Sequence, residues 1–240
     1  MGMLGIIPAR AGSRGVPGKN KALIAGRPLI DYSVSVLEAA PSISGIVVTT
    51  NDEDILSFYQ DRKTVFLVER PAELATAEAT SSDAVAHALD TWINAGRDVP
   101  PTLLLAQPTS PLRTVSDVET AYLLFQKSGK ESLISCCLAE GMRHPRDMYR
   151  MDSTGCGEIF IEETSYGHRR SDYEKLYQRN GAIYIVTTEY FQRTGRLRSE
   201  TPVIYEMPWE RSINIDIPGD LLIAKALLES GLLEQTTGMR

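Results

Sequence analysis

The sequence predicts a doubly wound α/β fold, a mostly parallel sheet with helices on both faces. Three observations carry this. Short, nearly continuous apolar runs recur along the chain, the pattern of strands buried on both faces. Helix-like segments separate them, so strand and helix alternate. The chain has 240 residues, 42% of them hydrophobic and 23% charged. That is enough for one large α/β domain with a full core and no disulfides.

The first strand is predicted at Leu4–Ile7, directly ahead of a glycine-rich basic segment. Pro28 marks the first helix, because its fixed φ and missing N–H suit a helix start. Gly45-Ile46-Val47-Val48-Thr49 is the second strand. A helix follows Asn51, with Asp52, Glu53 and Asp54 complementing its dipole. Thr64-Val65-Phe66-Leu67-Val68 is the third strand, and the next helix runs from Ser82 to Ala95. Thr102-Leu103-Leu104-Leu105-Ala106 is the fourth strand. Ser116-Asp117-Val118-Glu119 reads as a capping box opening a fourth helix. Ser132-Leu133-Ile134-Ser135-Cys136 is the fifth strand.

The rhythm breaks after Leu138. Residues 139–178 are polar and weakly periodic, with a short strand predicted only at Glu158–Ile161. Segments this long are seldom inert, so 139–178 is expected to be an insertion on the sheet used for self-association. Gly181–Val186 returns to the core as a strand, and the last helix runs from Asp220 to Leu233.

Composition excludes several function classes. The chain carries 25 basic against 31 acidic residues, a formal net charge of −6. General nucleic-acid binding needs the opposite balance, because affinity comes from counterion release. No apolar run approaches the ~18 residues of a membrane span, and the N-terminus lacks the basic start of a signal peptide. Cys136, Cys137 and Cys156 have no CxxC spacing and read as free thiols in a reducing compartment, which points to the cytoplasm. His87, His144 and His168 stand apart and read as structural or surface residues.

The strongest chemical signal is Pro8-Ala9-Arg10-Ala11-Gly12-Ser13-Arg14-Gly15-Val16-Pro17-Gly18-Lys19-Asn20-Lys21, at the carboxyl end of the first strand. Open α/β sheets place ligands at that end. Glycines let the backbone approach a ligand and present N–H groups. Arg10, Arg14, Lys19 and Lys21 reverse the sign of an acidic chain locally, which predicts a polyanion site. Ser13 and Asn20 break the Walker A spacing, and glycines at 12, 15 and 18 break the dinucleotide fingerprint. A nicotinamide oxidoreductase is thereby disfavoured.

This loop resembles that of the cytidylyltransferases that activate nonulosonic, sialic-type acids. The resemblance continues in family order through Arg70-Pro71-Ala72-Glu73-Leu74-Ala75, Gln107-Pro108-Thr109-Ser110-Pro111-Leu112-Arg113, Asn180-Gly181-Ala182-Ile183-Tyr184-Ile185 and Ser212-Ile213-Asn214-Ile215-Asp216. It implies a nucleotide-diphospho-sugar transferase-like fold. It also implies a reaction in which CTP and a nine-carbon α-keto acid sugar give the CMP-sugar and pyrophosphate. N-acetylneuraminate and legionaminate are the expected acceptors, with pseudaminate or another keto-acid sugar as the alternative. Within the resemblance, Arg10 and Lys19 match phosphate-contacting residues, and Arg14 takes a position that is usually basic. Ala11, Gly12, Ser13 and Asn20 complete the nucleotide loop. Arg70 lies on the cytosine side, and Ser81 is the preferred nucleotide-contacting serine.

Magnesium, or manganese in its place, is the implied cofactor, since carboxylate ligands and retained water suit a hard cation. Asp216 is the main expected ligand. The family often pairs two aspartates here, but this chain has Asn214 in the first position. A catalytically inactive nucleotide-binding module is the reading that Asn214 permits. Arg10, Lys19 and Asp216 are the expected catalytic residues. Gln107, Arg170, Gln178 and Tyr184 are expected on the sugar side, with Arg170 toward the sugar's carboxylate. The family usually dimerises through the 139–178 segment, so a homodimer is expected. Arg170 then acts in cis or in trans, and Tyr149, Tyr166, Tyr173 and Tyr177 are interface candidates.

Overall fold

The computed structural model describes residues 2–13, 15–161 and 173–231. In chain order, β1 (Met3–Pro8) leads through a small hairpin, β2 (Leu23–Ile24) and β3 (Arg27–Pro28), into α1 (Leu29–Ala39). Then come β4 (Ile43–Thr50), α2 (Glu53–Tyr59), β5 (Val65–Glu69), α3 (Ser81–Asn94), β6 (Thr102–Leu105), α4 (Val115–Ser128) and β7 (Ser132–Leu138). A hairpin of β8 (Tyr149–Met151) and β9 (Gly157–Ile159) precedes β10 (Tyr177–Thr187), α5 (Thr188–Thr194), β11 (Val203–Glu206) and α6 (Pro218–Glu229).

Seven strands form one sheet in the order β11-β7-β10-β6-β1-β4-β5. β10 runs antiparallel to both its neighbours, while the other pairings are parallel. The expected mostly parallel, doubly wound sheet is therefore present, with one reversed strand inside it. Alternation along the strands builds a core on each face. Met3, Ile7, Ile46, Val48 and Ile185 pack with α1, α2 and α4 residues such as Val34, Tyr59 and Val118. Leu4, Ile6, Val47, Leu103 and Val186 pack with Val85 and Trp92 of α3 and Phe191 of α5. α6 closes a smaller cluster of Val16, Ile24, Leu112, Ile213, Ile215 and Ala224, which docks the segment after β1 against the approach to α6.

Two start signals lie slightly away from their expected places. Pro28 is the N-cap of α1, and Leu29 is its first helical residue. The fourth helix is capped by Thr114 with Asp117, not by Ser116 with Glu119. The reason lies in Asp117, which also receives Arg211 at 2.8 and 3.0 Å and the Tyr205 hydroxyl at 3.0 Å. Asp117 is buried. Burial pushes its pKa up, yet hydrogen bonds from Arg211 and Thr114 outweigh this and leave it below the ordinary value. A depressed carboxyl pKa stabilises the fold above the unfolded-state pKa, and that contribution disappears as pH falls through the folded-state value. Arg211→Met is therefore predicted to cost about 3 kcal/mol at neutral pH, since it strands a buried charge. The deficit should shrink in chemical denaturation as pH falls below the ordinary carboxyl range and through the depressed folded-state pKa of Asp117.

The 139–178 segment holds two short 3-10 turns and the β8–β9 hairpin, and its strand falls close to the expected 158–161. His144 is structural. It is buried, its Nε2 lies 3.0 Å from the Glu174 carbonyl, and its Nδ1 accepts from the Arg146 N–H at 3.2 Å. Arg146 stacks over the Tyr173 ring at 5.3 Å. β11 was not predicted. Its register with β7 completes the sheet edge and leads into the segment carrying Asp216.

Candidate active site

The carboxyl ends of β1, β5 and β6 border a cleft, and the loop after β1 lines it. Each end of that loop is tied down. Thr50 Oγ1 donates to the Ala9 carbonyl at 2.6 Å, and the Ala11 N–H donates to Asn51 Oδ1 at 2.8 Å. The Asn20 amide donates to the Arg10 carbonyl at 3.0 Å. Lys21 pairs with Asp52 at 3.1 Å and Asp54 at 2.6 Å. It therefore anchors the loop to the N-terminus of α2 rather than joining the free cations.

Lys19 reaches across the chain. Its Nζ donates to the Ile215 carbonyl at 2.5 Å and to Asp216 Oδ1 at 3.3 Å. The lysine side chain is 11% exposed and the aspartate 70%, so the cation is held in place while the carboxylate faces the cleft. Gly15 makes this approach possible. A Cβ on Gly15 would fall far inside van der Waals contact distance of the Asp216 carbonyl oxygen. Gly15→Ala must displace one segment from the other, and displacement near 1 Å at a reacting centre costs about 10²-fold. Turnover should fall by that order while circular dichroism retains the native spectrum; unaltered turnover would refute the coupling.

The segment bearing Asp216 is fixed from several sides. The Ile215 N–H donates to the Thr109 carbonyl at 2.8 Å. The Asn214 side-chain N–H donates to Asp216 Oδ2 at 3.1 Å, and the Asp216 and Ile217 N–H groups donate to Asp220 Oδ2. Asp220 is thus a loop tie at the start of α6. Asn214 Oδ1 is buried without a hydrogen-bond partner, an oxygen acceptor beside the only carboxylate on the cavity wall among the described residues.

These groups surround a cavity of about 400 Å³ lined by Arg10, Ser13, Lys19, Arg70, Gln107 and Asp216. Arg10 also donates to the Thr76 carbonyl at 3.2 Å. Arg70 is buried and donates to the Thr49 carbonyl at 2.8 Å. Burial, with the charge of Arg10 second, pushes its pKa down to about 10, so it remains a cation at neutral pH. Ser81, the first residue of α3, lines the same cavity. Gly12 adopts φ 73°, the left-handed region open to glycine.

A neighbouring lobe is lined by Gln107, Gln178, Arg179, Tyr184, Asn214 and Asp216. Its frame is a buried network. Asn180 accepts from Ser135 Oγ at 2.6 Å, donates to Ser212 Oγ at 2.9 Å, and its carbonyl accepts from Ser110 Oγ at 3.1 Å. Gly181 has φ 75°, and a Cβ there would come within 2.7 Å of Gln107 Oε1. Arg113 donates to the Ala182 carbonyl at 2.7 Å and the Gln107 carbonyl at 2.9 Å. Burial pushes the Arg113 pKa down to about 10. Arg113 holds Gln107 in place and is not itself a cleft cation.

The expected residues Arg10, Ser13, Lys19, Asn20, Arg70, Ser81, Gln107 and Asp216 therefore line one cavity, with Gln178, Tyr184 and Asn214 in the adjoining lobe. The Ala11 N–H is engaged by Asn51. Arg14, Tyr166, His168 and Arg170 lie outside the described residues. Sequence reasoning missed Asn51 and Thr109 as supports, because each acts through a contact distant in sequence.

A basic, glycine-rich loop on an α/β sheet faces a carboxylate across a polar cleft, an arrangement that suits a polyanionic ligand. Residues 4–206 match the cytidylyltransferase family model, and the chain belongs to that family. It is 28% identical over 218 residues to an N-acylneuraminate cytidylyltransferase of Streptococcus agalactiae, covering 90% of this chain and 51% of that protein. The chain thus spans about half the length of that relative. It is 30% identical over 235 residues to a CMP-N,N'-diacetyllegionaminic acid synthase of Legionella pneumophila, covering 95% of this chain and 97% of that one. Among solved structures, a CMP:2-keto-3-deoxy-manno-octonic acid synthetase complexed with CTP superposes with a TM-score of 0.67 at 17% identity. That alignment covers 96% of this chain and 99% of that chain, and it establishes the shared fold.

Proposed function

We propose that this protein transfers the cytidylyl group of CTP to a nine-carbon, sialic-type α-keto acid, giving the CMP-sugar and pyrophosphate. N-acetylneuraminate and legionaminate are the favoured acceptors, and pseudaminate is the alternative. The observation that carries this reading is the convergence of Arg10, Lys19 and Asp216 on a cleft that continues past Gln107 to Tyr184. The first lobe has cations for a triphosphate, and the second has polar groups for a polyhydroxylated acid.

In this reading the sugar's anomeric hydroxyl attacks the α-phosphorus and the bond to pyrophosphate breaks. Such transfer depends on positioning and on charge stabilisation at phosphoryl oxygens. Arg10 and Lys19 supply positive charge at the phosphates, Arg70 borders the nucleotide side, and Gln107 with Tyr184 orients the acceptor. The donor set fits a magnesium ion held by one carboxylate, with substrate phosphates and water completing its shell. Asp216 is exposed and each of its oxygens accepts one hydrogen bond, leaving lone pairs for a cation. Asn214 aligns Asp216 and offers Oδ1 as a neutral oxygen. When bound, the ion supplies charge neutralisation at the phosphates and acidifies the sugar hydroxyl.

Pyrophosphate release with CTP, magnesium and a panel of nonulosonic acids tests the proposal. CTP binding without release on any acid would favour a binding module. The three free cysteines support a cytoplasmic setting, and the formal net charge of −6 speaks against a nucleic-acid partner.

We further propose that the β8–β9 hairpin forms a homodimer surface. Tyr149 and Met151 of the hairpin and Phe160 directly after it are all more than half exposed, apolar side chains of the kind that marks an interface. Replacing Tyr149 and Met151 with glutamate should convert the sedimenting species to monomer; an unaltered dimer would place the interface elsewhere.

A further inference from the structure

The cleft has another lobe that the phosphate chemistry leaves unused. A cavity of about 500 Å³ adjoins the first through Ser81 and Gln107, and Arg179, Arg196 and Arg198 stand on its wall with Tyr184. All three arginines are exposed. None forms an ion pair within the described residues, and Glu200 is the single carboxylate on this wall among them.

The backbone explains why Arg179 and Tyr184 share this lobe. They are five positions apart, and on an unbroken strand an odd separation sends side chains to opposite faces. The register of β10 on β7 shifts between Arg179 and Tyr184. Such irregularities re-aim side chains next to sites. Arg179 and Arg198 both act on the Tyr184 phenol: burial lifts its pKa, and both guanidinium charges oppose that rise. Arg179 also hydrogen-bonds it. Ser81 and Ser82 open α3 on the same wall, adding the positive end of a fourteen-residue helix. Leu105 and Leu197 provide an apolar side for a carbon skeleton.

We propose that Arg179 and Arg198 hold the acceptor's carboxylate beside Tyr184, so that this recognition is made within one chain. The inference rests on the acid-sugar reading above. A guanidinium fork matches a carboxylate in two parallel hydrogen bonds, and two guanidiniums that form no ion pair among the described residues present that fork beside the Tyr184 phenol. The neighbouring Gln178 is neutral and cannot supply this charge.

Arg179→Gln and Arg198→Gln are to be assayed with CTP, the acceptor acid and its carboxamide. Each variant should raise the acid's KM by about tenfold or more, the loss of one charge-assisted contact. CTP KM should remain within about twofold, and the carboxamide should lose little in either variant. Unchanged acid KM in both variants, or equal losses on acid and carboxamide, overturns the subsite and leaves the cytidylyltransferase reading standing. If the wild type releases no pyrophosphate with any acid, that parent reading fails. Titration of N-acetylneuraminate into the CTP-loaded protein then decides the subsite by itself: binding weakened by Arg179→Gln supports it, and no binding overturns it.

Discussion

Lys19→Met should lower kcat by about 10²–10³-fold, the size of effect seen when one preorganised donor is removed from developing transition-state charge. Methionine keeps most of the aliphatic stem, so the packing around a side chain only 11% exposed is largely retained. What disappears is the ammonium that joins the loop after β1 to the Ile215 carbonyl and Asp216. Two consequences separate a chemical role from a structural one. Loss of the internal hydrogen bond to Ile215 costs about 1–3 kcal/mol of stability at most, visible as a modest fall in Tm. A direct phosphate role additionally weakens CTP binding and steepens the loss in kcat/KM for pyrophosphate release. Near-native kcat in a folded Lys19→Met protein contradicts the assignment.

Asp216→Ala should remove most turnover together with the response to magnesium. A divalent ion contributes several kcal/mol of charge stabilisation in phosphoryl transfer, so a loss of about 10²–10³-fold is expected at a fixed magnesium concentration. The fold has little stake in this side chain, which is 70% exposed. The Lys19 pair is partly exposed and worth little on its own. The Asp216 backbone N–H keeps its bond to Asp220 in the variant, so the segment should stay in place. Metal titration of the rate is the informative readout: a wild-type magnesium profile in Asp216→Ala removes this residue from the metal site.

Much of this was legible in the sequence because the relevant signals are local. The buried strands β1, β4, β6 and β7 are continuous apolar runs, and sequence alternation with helices implies both-face burial. The loop from Pro8 to Lys21 announces itself by charge and glycine spacing over a short stretch. β11 was missed because Val203-Ile204-Tyr205-Glu206 is short and half-buried. The reversal of β10 was missed because strand direction depends on a partner, not on composition. The cap at Thr114 lost out to Ser116 in sequence because both positions fit a capping box, and only the Asp117–Arg211 pair, 94 residues apart, decides between them.

The site followed the same division. Arg10, Lys19, Gln107 and Asp216 were nameable from motif position, and their meeting depends on how the ends of β1 and β6 and the approach to α6 converge. Lys21 looked like a fourth loop cation, and only the fold hands it to Asp52 and Asp54. Arg113 sits inside a site motif yet points into the core, where it clamps two carbonyls. Arg196 and Arg198 belong to no sequence motif and reach the cleft through the turn after α5.

The most direct measurement is a crystal structure of the protein with CTP and magnesium. The triphosphate should lie along the Arg10–Asn20 loop, with Lys19 and Arg10 against its oxygens and Asp216 toward the cation. A triphosphate bound elsewhere on the molecule would contradict the account.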